Sequence, residues 1–145
     1  MICVLGSDHA GLSLGKYIIN QLIESKKLSK LIDILPNRDD RVDYPDFAKL
    51  VCKEVLNNPN TFGILICGSG IGMSICANRY KGIRAALCFN EYMARCARSH
   101  NNANILCLGE RVMGSELAYN IVNTFLFTKF DGARHQIRLD KIEND

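Results

Sequence analysis

At 145 residues, 48% hydrophobic and 23% charged, the chain has the make-up of one soluble globular domain large enough to bury a core. Its net charge of +3 comes without a basic run and without Trp, which argues against a nucleic-acid surface and suits a small anion. No segment reaches the roughly 18 apolar residues of a membrane span, no cationic and apolar leader opens the sequence, and seven cysteines without a C-x-x-C pair imply reduced thiols in a cytoplasmic setting.

The chain then alternates between two periods. Ile2–Gly6 reads as a short strand ending in Ser7-Asp8-His9-Ala10-Gly11, and from Leu12 the positions Leu14, Ile18, Leu22 and Ile23 recur at helical spacing. Leu31–Leu35 is a second strand. Pro36–Pro45 is a polar turn holding Arg38, Asp39, Asp40, Arg41 and Asp43, after which Pro45 opens a helix carrying Phe47, Leu50, Val51, Val55 and Leu56. Asn57–Thr61 is a turn, and the apolar run Ile64-Leu65-Ile66, too short for a helix, reads as a strand buried on both faces.

That strand stops at Cys67, followed by Gly68, Ser69, Gly70 and Gly72 and a helix to about Arg79, with Gly82 as a later stop. Ile83–Phe89 is the next strand, and Asn90 caps a helix through Arg98. Ser99–Asn104 leads to the strand Ile105–Leu108, Gly109-Glu110-Arg111 turns, and Glu116–Phe127 is an apolar helix. Gly132 breaks the chain before a polar helical tail, Ala133–Asn144. Five strands alternating with helices, without repeat or linker, predict one domain over 1–145. Its expected form is an α/β/α three-layer, Rossmann-like or flavodoxin-like sandwich on a five-stranded parallel sheet with a C-terminal helical tail.

The stretch 62–79 carries the chemistry. A strand, a glycine turn and a helix opening gather backbone N–H groups and a positive dipole end around one point. Cys67 stands at the strand's carboxyl end, where open sheets place ligands, so its anion would face donors. The plain alternative is a structural turn with an inert thiol. The G-x-G-x-G pattern lacks the third glycine of a dinucleotide fingerprint and the Lys-Ser/Thr of a P-loop.

Turns after strands share one sheet edge, which collects Asp8 and His9, Arg41 and Tyr44, Cys67 and Ser69, and Glu110-Arg111. His100 precedes a strand, so topology puts it at the opposite edge unless its helix returns. The histidines show no H-x-x-x-H spacing and no carboxylate cluster, and no metal site is expected. Arg134 and Arg138, four apart, face one side of a helical tail, as a solvated face or as a two-pronged phosphate clamp.

Six motifs in order carry a resemblance over essentially the full length: Ser-Asp-His-Ala-Gly at 7–11, Asp-Tyr-Pro at 43–45, the thirteen residues at 67–79, His-Asn-Asn-Ala-Asn at 100–104, Gly-Glu-Arg-Val-Met-Gly at 109–114 and Gly-Ala-Arg-His at 132–135. They resemble the type B ribose-5-phosphate isomerases and their galactose-6-phosphate isomerase relatives. The resemblance implies interconversion of ribose 5-phosphate and ribulose 5-phosphate through ring opening and a cis-enediolate, without metal or organic cofactor.

By the same resemblance Cys67 is the base, the amides of Gly68, Ser69, Gly70, Ile71 and Gly72 receive the oxyanion, and Ser69 shuttles a proton between sugar oxygens. Asp8 and Tyr44 hold ring oxygens or hydroxyls, His100 is the acid that opens the ring, and Asn101 binds a hydroxyl. His9, Arg111, Arg134 and Arg138 take the phosphate, with His135 a neighbour. One branch of the family uses a glutamate of the glycine loop as base; here the loop offers Met73 and no carboxylate, which leaves Cys67. Family sites form between subunits, so a homodimer or dimer of dimers with a shared site is expected. The competing functions are isomerisation of a hexose 6-phosphate (allose or galactose type), sugar-phosphate binding without catalysis on the same fold and, more distantly, thiol redox chemistry.

Overall fold

The computed structural model describes residues 1–37 and 40–143; Arg38 and Asp39 of the polar turn and Asn144 of the expected tail lie outside the described residues. The strands are β1 (Ile2–Ser7), β2 (Lys30–Ile34), β3 (Thr61–Cys67), β4 (Ala85–Leu87) and β5 (Ile105–Gly109). The helices are α1 (Leu12–Ser25), α2 (Tyr44–Asn57), α3 (Ile71–Ala77), α4 (Glu91–Ser99), α5 (Ser115–Phe127) and α6 (Arg134–Glu143), with short 3₁₀ turns at His9–Gly11 and Glu110–Val112.

All strand pairings are parallel, in the order β2-β1-β3-β5-β4. Successive side chains of a strand point to opposite faces, and both faces here are covered. Cys3 and Leu5, Ile64 and Ile66, and Leu106 and Leu108 pack into the layer of α1, α4 and α5. Val4, Leu65, Cys67, Ile105 and Cys107 pack against α2 and α3. Continuous apolar runs thus became central strands, as two-sided burial requires. Phe125 of α5 is fully buried, which stabilises the first layer by about 1.5–3 kcal/mol.

Several boundaries and faces differ from expectation for local reasons. The strand expected over Ile83–Phe89 shrinks to Ala85–Leu87, because the Arg84 N–H donates to Asn104 Oδ1 (2.8 Å) instead of a ladder. Asn78 closes the outer side of β4: its Nδ2 donates to the Ala85 carbonyl and its Oδ1 accepts the Ala85 N–H, each at 2.9 Å. Ile23, Leu50 and Leu56 keep their helical spacing but lie on the outer flank of their stripes and are exposed. Asn90 caps α4 as expected, its side chain accepting the Met93 N–H.

From β1 the chain goes out to β2, then returns past β1 to β3. The carboxyl ends of β1 and β3 are therefore a topological switch point, the crevice where such sheets receive ligands. Asp8 and Cys67 are the residues at that crevice: Ser7 pairs with Ile66, and the Asp8 N–H continues the ladder to the Ile66 carbonyl at 3.2 Å.

Candidate active site

At the carboxyl edge, Cys67 is buried, 6% exposed, and the Gly70 N–H donates to its Sγ at 3.1 Å. Gly70 makes this possible by standing in the left-handed region at φ +79° as the cap of α3. The neighbouring Ile71 N–H donates to Ser69 Oγ at 3.3 Å. The seven cysteines are free thiols, but most are inert packing. Burial pushes Cys3, Cys52 and Cys88 up to about 12 and Cys107 well above the ordinary thiol range. Cys67 differs from these in having a backbone donor aimed at its sulfur from a glycine loop.

The rest of the edge is built around this loop. Asp8 Oδ1 accepts the N–H groups of Ala10 (2.9 Å) and Gly11 (3.1 Å), which fixes the 3₁₀ turn that carries His9. His9 Nδ1 lies 3.2 Å from both the Val42 carbonyl and the Val42 N–H, anchoring the loop before α2. Tyr44, first residue of α2, lays its ring over Gly72, where a Cβ would stand 2.8 Å from Cζ, so a larger residue would displace the ring. The Arg111 N–H donates to the Gly68 carbonyl at 3.0 Å, and its guanidinium lies over that residue.

Glu110 adds a contact that spacing did not reveal. Its Oε2 accepts the Leu14 N–H at 2.9 Å across 96 residues, tying the start of α1 to the turn after β5. A carboxylate at a helix start complements the dipole, but nothing in either local sequence announces the pairing.

The remaining expected site residues lie elsewhere. Cys67 pairs with Gly109 at the end of β5, whereas His100 precedes the start of that strand. Four steps of about 3.3 Å make the ends of β5 roughly 13 Å apart. His100 caps the C-terminus of α4, its N–H donating to the Cys96 carbonyl at 2.9 Å. Its ring stacks on His135 with centroids 4.4 Å apart and planes at 8°. Asn101 is exposed, its carbonyl accepting from Arg84 Nε at 3.1 Å, and Arg134 and Arg138 are exposed on α6. A cavity of about 660 Å³ opens beside this second cluster, lined in part by Arg79, Arg84, Asn101, Leu139 and Glu143; no carboxyl-edge residue lines it.

One chain thus places the expected site residues in two separate groups: Asp8, His9, Tyr44, Cys67, Ser69 and Arg111 on one edge, and His100, Asn101, Arg134 and Arg138 on the other. The fold also groups His100, Asp131 and His135, with potential ligand atoms all within 4.8 Å of one another, a set hidden from sequence spacing. Arg84 reaches the Asn101 and Asn102 carbonyls, Arg98 holds Asn102 and Ala103, and Arg134 and Arg138 flank His135. Such a density of guanidinium favours an anion over a cation.

A thiol under a glycine loop at the switch point, with a separate cluster of imidazole and guanidinium groups, supplies an α/β protein with groups suited to acid–base chemistry on small anions. The model of the Ribose/Galactose Isomerase family matches residues 3–142. Ribose-5-phosphate isomerase B of Escherichia coli is 42% identical over 137 residues, 94% of this chain and 91% of that protein. The solved ribose 5-phosphate isomerase of Thermotoga maritima superposes with a TM-score of 0.94 at 51% identity, covering 99% of this chain and 98% of that one. Ribose-5-phosphate isomerase B of Clostridium thermocellum gives 0.94 at 46% identity, covering 99% and 96%. The chain belongs to the Ribose/Galactose Isomerase family. Among the described residues, no helix is long and apolar enough to cross a membrane.

Proposed function

We infer that this protein is a metal-independent aldose–ketose isomerase whose substrate pair is ribose 5-phosphate and ribulose 5-phosphate. Moving a hydrogen between C1 and C2 of an opened sugar needs a base at carbon and donors for the enediolate oxygen. Cys67 serves as the base. The loop amides from Gly68 to Gly72 receive the developing oxyanion, with the Gly70 N–H also holding the sulfur and the Ile71 N–H holding Ser69. Ser69 passes the hydroxyl proton, and Asp8 and Tyr44 hold sugar oxygens. His100 opens the ring with Asn101 on a hydroxyl, and His9, Arg111, Arg134 and Arg138 take the phosphate.

The observation that carries this reading is the separation of the two residue groups across the sheet. A sugar phosphate cannot touch Cys67 and His100 of one chain if they lie at opposite ends of β5. Two copies related by a two-fold axis solve this, each offering its His100, Arg134 and Arg138 to the other's Cys67 loop. The active unit is therefore a homodimer, alone or within a dimer of dimers, with the chain folded as one domain. Seven free thiols fit a cytoplasmic location.

The test is complementation. Cys67→Ala and His100→Asn are each inactive as homodimers. Mixed dimers rebuild one intact site of two, so refolding an equimolar mixture restores about a quarter of parental activity. Ribose 5-phosphate and allose 6-phosphate are followed in D₂O by NMR. Turnover of the pentose with deuterium gained at the transferred carbon supports the assignment. Failure of complementation rejects the shared site, and preferential turnover of the hexose rejects the substrate.

A further inference from the structure

His100 does not stand alone at the amino edge. Its ring lies against that of His135, parallel to within 8° and 4.4 Å away, and Asp131 brings a carboxylate oxygen within 4.8 Å of a ring nitrogen of each. The chain is bent specifically to achieve this. The Asp131 N–H donates to the Ser99 carbonyl at 3.0 Å, fastening the segment to the end of α4. Gly132 (φ +64°) and Ala133 (φ +47°) then follow in the left-handed region, which for alanine costs about 1–2 kcal/mol. The turn they make starts α6 at Arg134 and turns His135 inward, where it is 7% exposed while Arg134 and Arg138 point to solvent.

The charges around the two rings are unequal. His135 stands in the first turn of α6, at a positive dipole end, between Arg134 and Arg138. Burial, His100 and the two arginines all push its imidazole below the ordinary value, with Asp131 opposing. His100 instead caps the carbonyl end of α4. The other cations nearby are already engaged: Arg98 on Asn102 and Ala103, and Arg84 on loop carbonyls and Glu143. Two imidazolium rings in this stack would repel, which disfavours charge on His135.

We propose that His135 and Asp131 are positioning residues for the ring-opening acid: His135 is the neutral platform that fixes the plane of His100, and Asp131 is the counter-charge that keeps the proton on it. This rests on the role given to His100 above. The arrangement explains a buried histidine between two arginines, which a phosphate clamp alone would not require.

The test uses the full-length protein and the variants His135→Ala, His135→Phe and Asp131→Asn, with kcat and KM for ribose 5-phosphate measured against pH. Loss of the platform in His135→Ala lowers kcat about tenfold while KM moves less than about threefold. His135→Phe, which keeps a flat ring, regains most of that loss. Asp131→Asn moves the alkaline limb of the kcat profile to lower pH by about half a unit or more. Equal losses in the alanine and phenylalanine variants, a change confined to KM, or an unmoved alkaline limb in Asp131→Asn would each overturn the proposal. The parental protein gives a second readout that needs no variant to fold. It has three histidines, and ring protons of His100 and His135 shifted upfield of those of His9 support the stack, whereas their absence refutes it. Full turnover by His100→Asn would instead remove the acid assignment, and the NMR result would stand apart from it.

Discussion

Replacing Cys67 separates what the sulfur does for folding from what it does for chemistry. The side chain is 6% exposed and accepts one backbone N–H, from Gly70 at 3.1 Å. Cys67→Ala leaves that buried donor without its acceptor, at a cost of about 1–3 kcal/mol. Cys67→Ser puts a hydroxyl oxygen in reach of the same N–H and returns most of that stability. Neither variant has a group able to take a proton from carbon near neutral pH. Both should lose two to four decades of kcat, or about 3–5 kcal/mol of transition-state stabilisation, as expected for removal of a general base. Urea unfolding followed by circular dichroism gives the first quantity, and aldose–ketose conversion followed by NMR gives the second. The expected pattern is alanine less stable than serine, with both equally inactive. A serine variant retaining a tenth or more of parental kcat would refute the base assignment.

Small alkylating reagents should inactivate in step with modification of Cys67, mapped by peptide mass, and ribose 5-phosphate should protect it; inactivation that tracks partly exposed Cys76 or Cys96 instead would move the reactive thiol. Gly70→Ala would place a Cβ 2.5 Å from Leu87 Cδ1 and 2.9 Å from the Leu108 backbone carbon, at φ +79°. A loss of about 2–4 kcal/mol in urea unfolding is expected, and a variant within about 0.5 kcal/mol of the parent would show that the loop relaxes freely. For His135 the native imidazole lies below the ordinary 6.5, so the unfolded chain binds more protons between the two values. Its contribution is present above pH 6.5 and is lost as pH falls through the native value. Unfolding midpoints should therefore drop on acidification more steeply in the parent than in His135→Gln, and parallel curves would contradict that.

Local patterns made much of this molecule legible. Apolar runs without polar interruption gave the central strands, Asn90 announced α4, and the glycines after Cys67 announced the end of β3. What sequence could not supply was long-range placement. No residue of β4 or β5 says that β5 sits between β3 and β4, because register is decided by which faces are buried. The contact of Glu110 with Leu14 joins groups 96 residues apart. His100 is remote in sequence from Asp131 and His135, and two backbone bends, at Gly132 and Ala133, create their contact. The polar tail reads as a solvated helix face or as a phosphate clamp, and neither pattern signals that His135 is buried.

Asn78 at the border of the sheet has a consequence for assembly. A bare outermost strand invites a stranger's backbone to add itself. Here a single amide answers both the N–H and the carbonyl of Ala85, imitating one rung of a neighbour that never arrives. Growth of the sheet past β4 is thereby discouraged, and any companion molecule is steered toward helices and loops. A one-atom change at that position, amide to acid, would remove a donor and lift the guard.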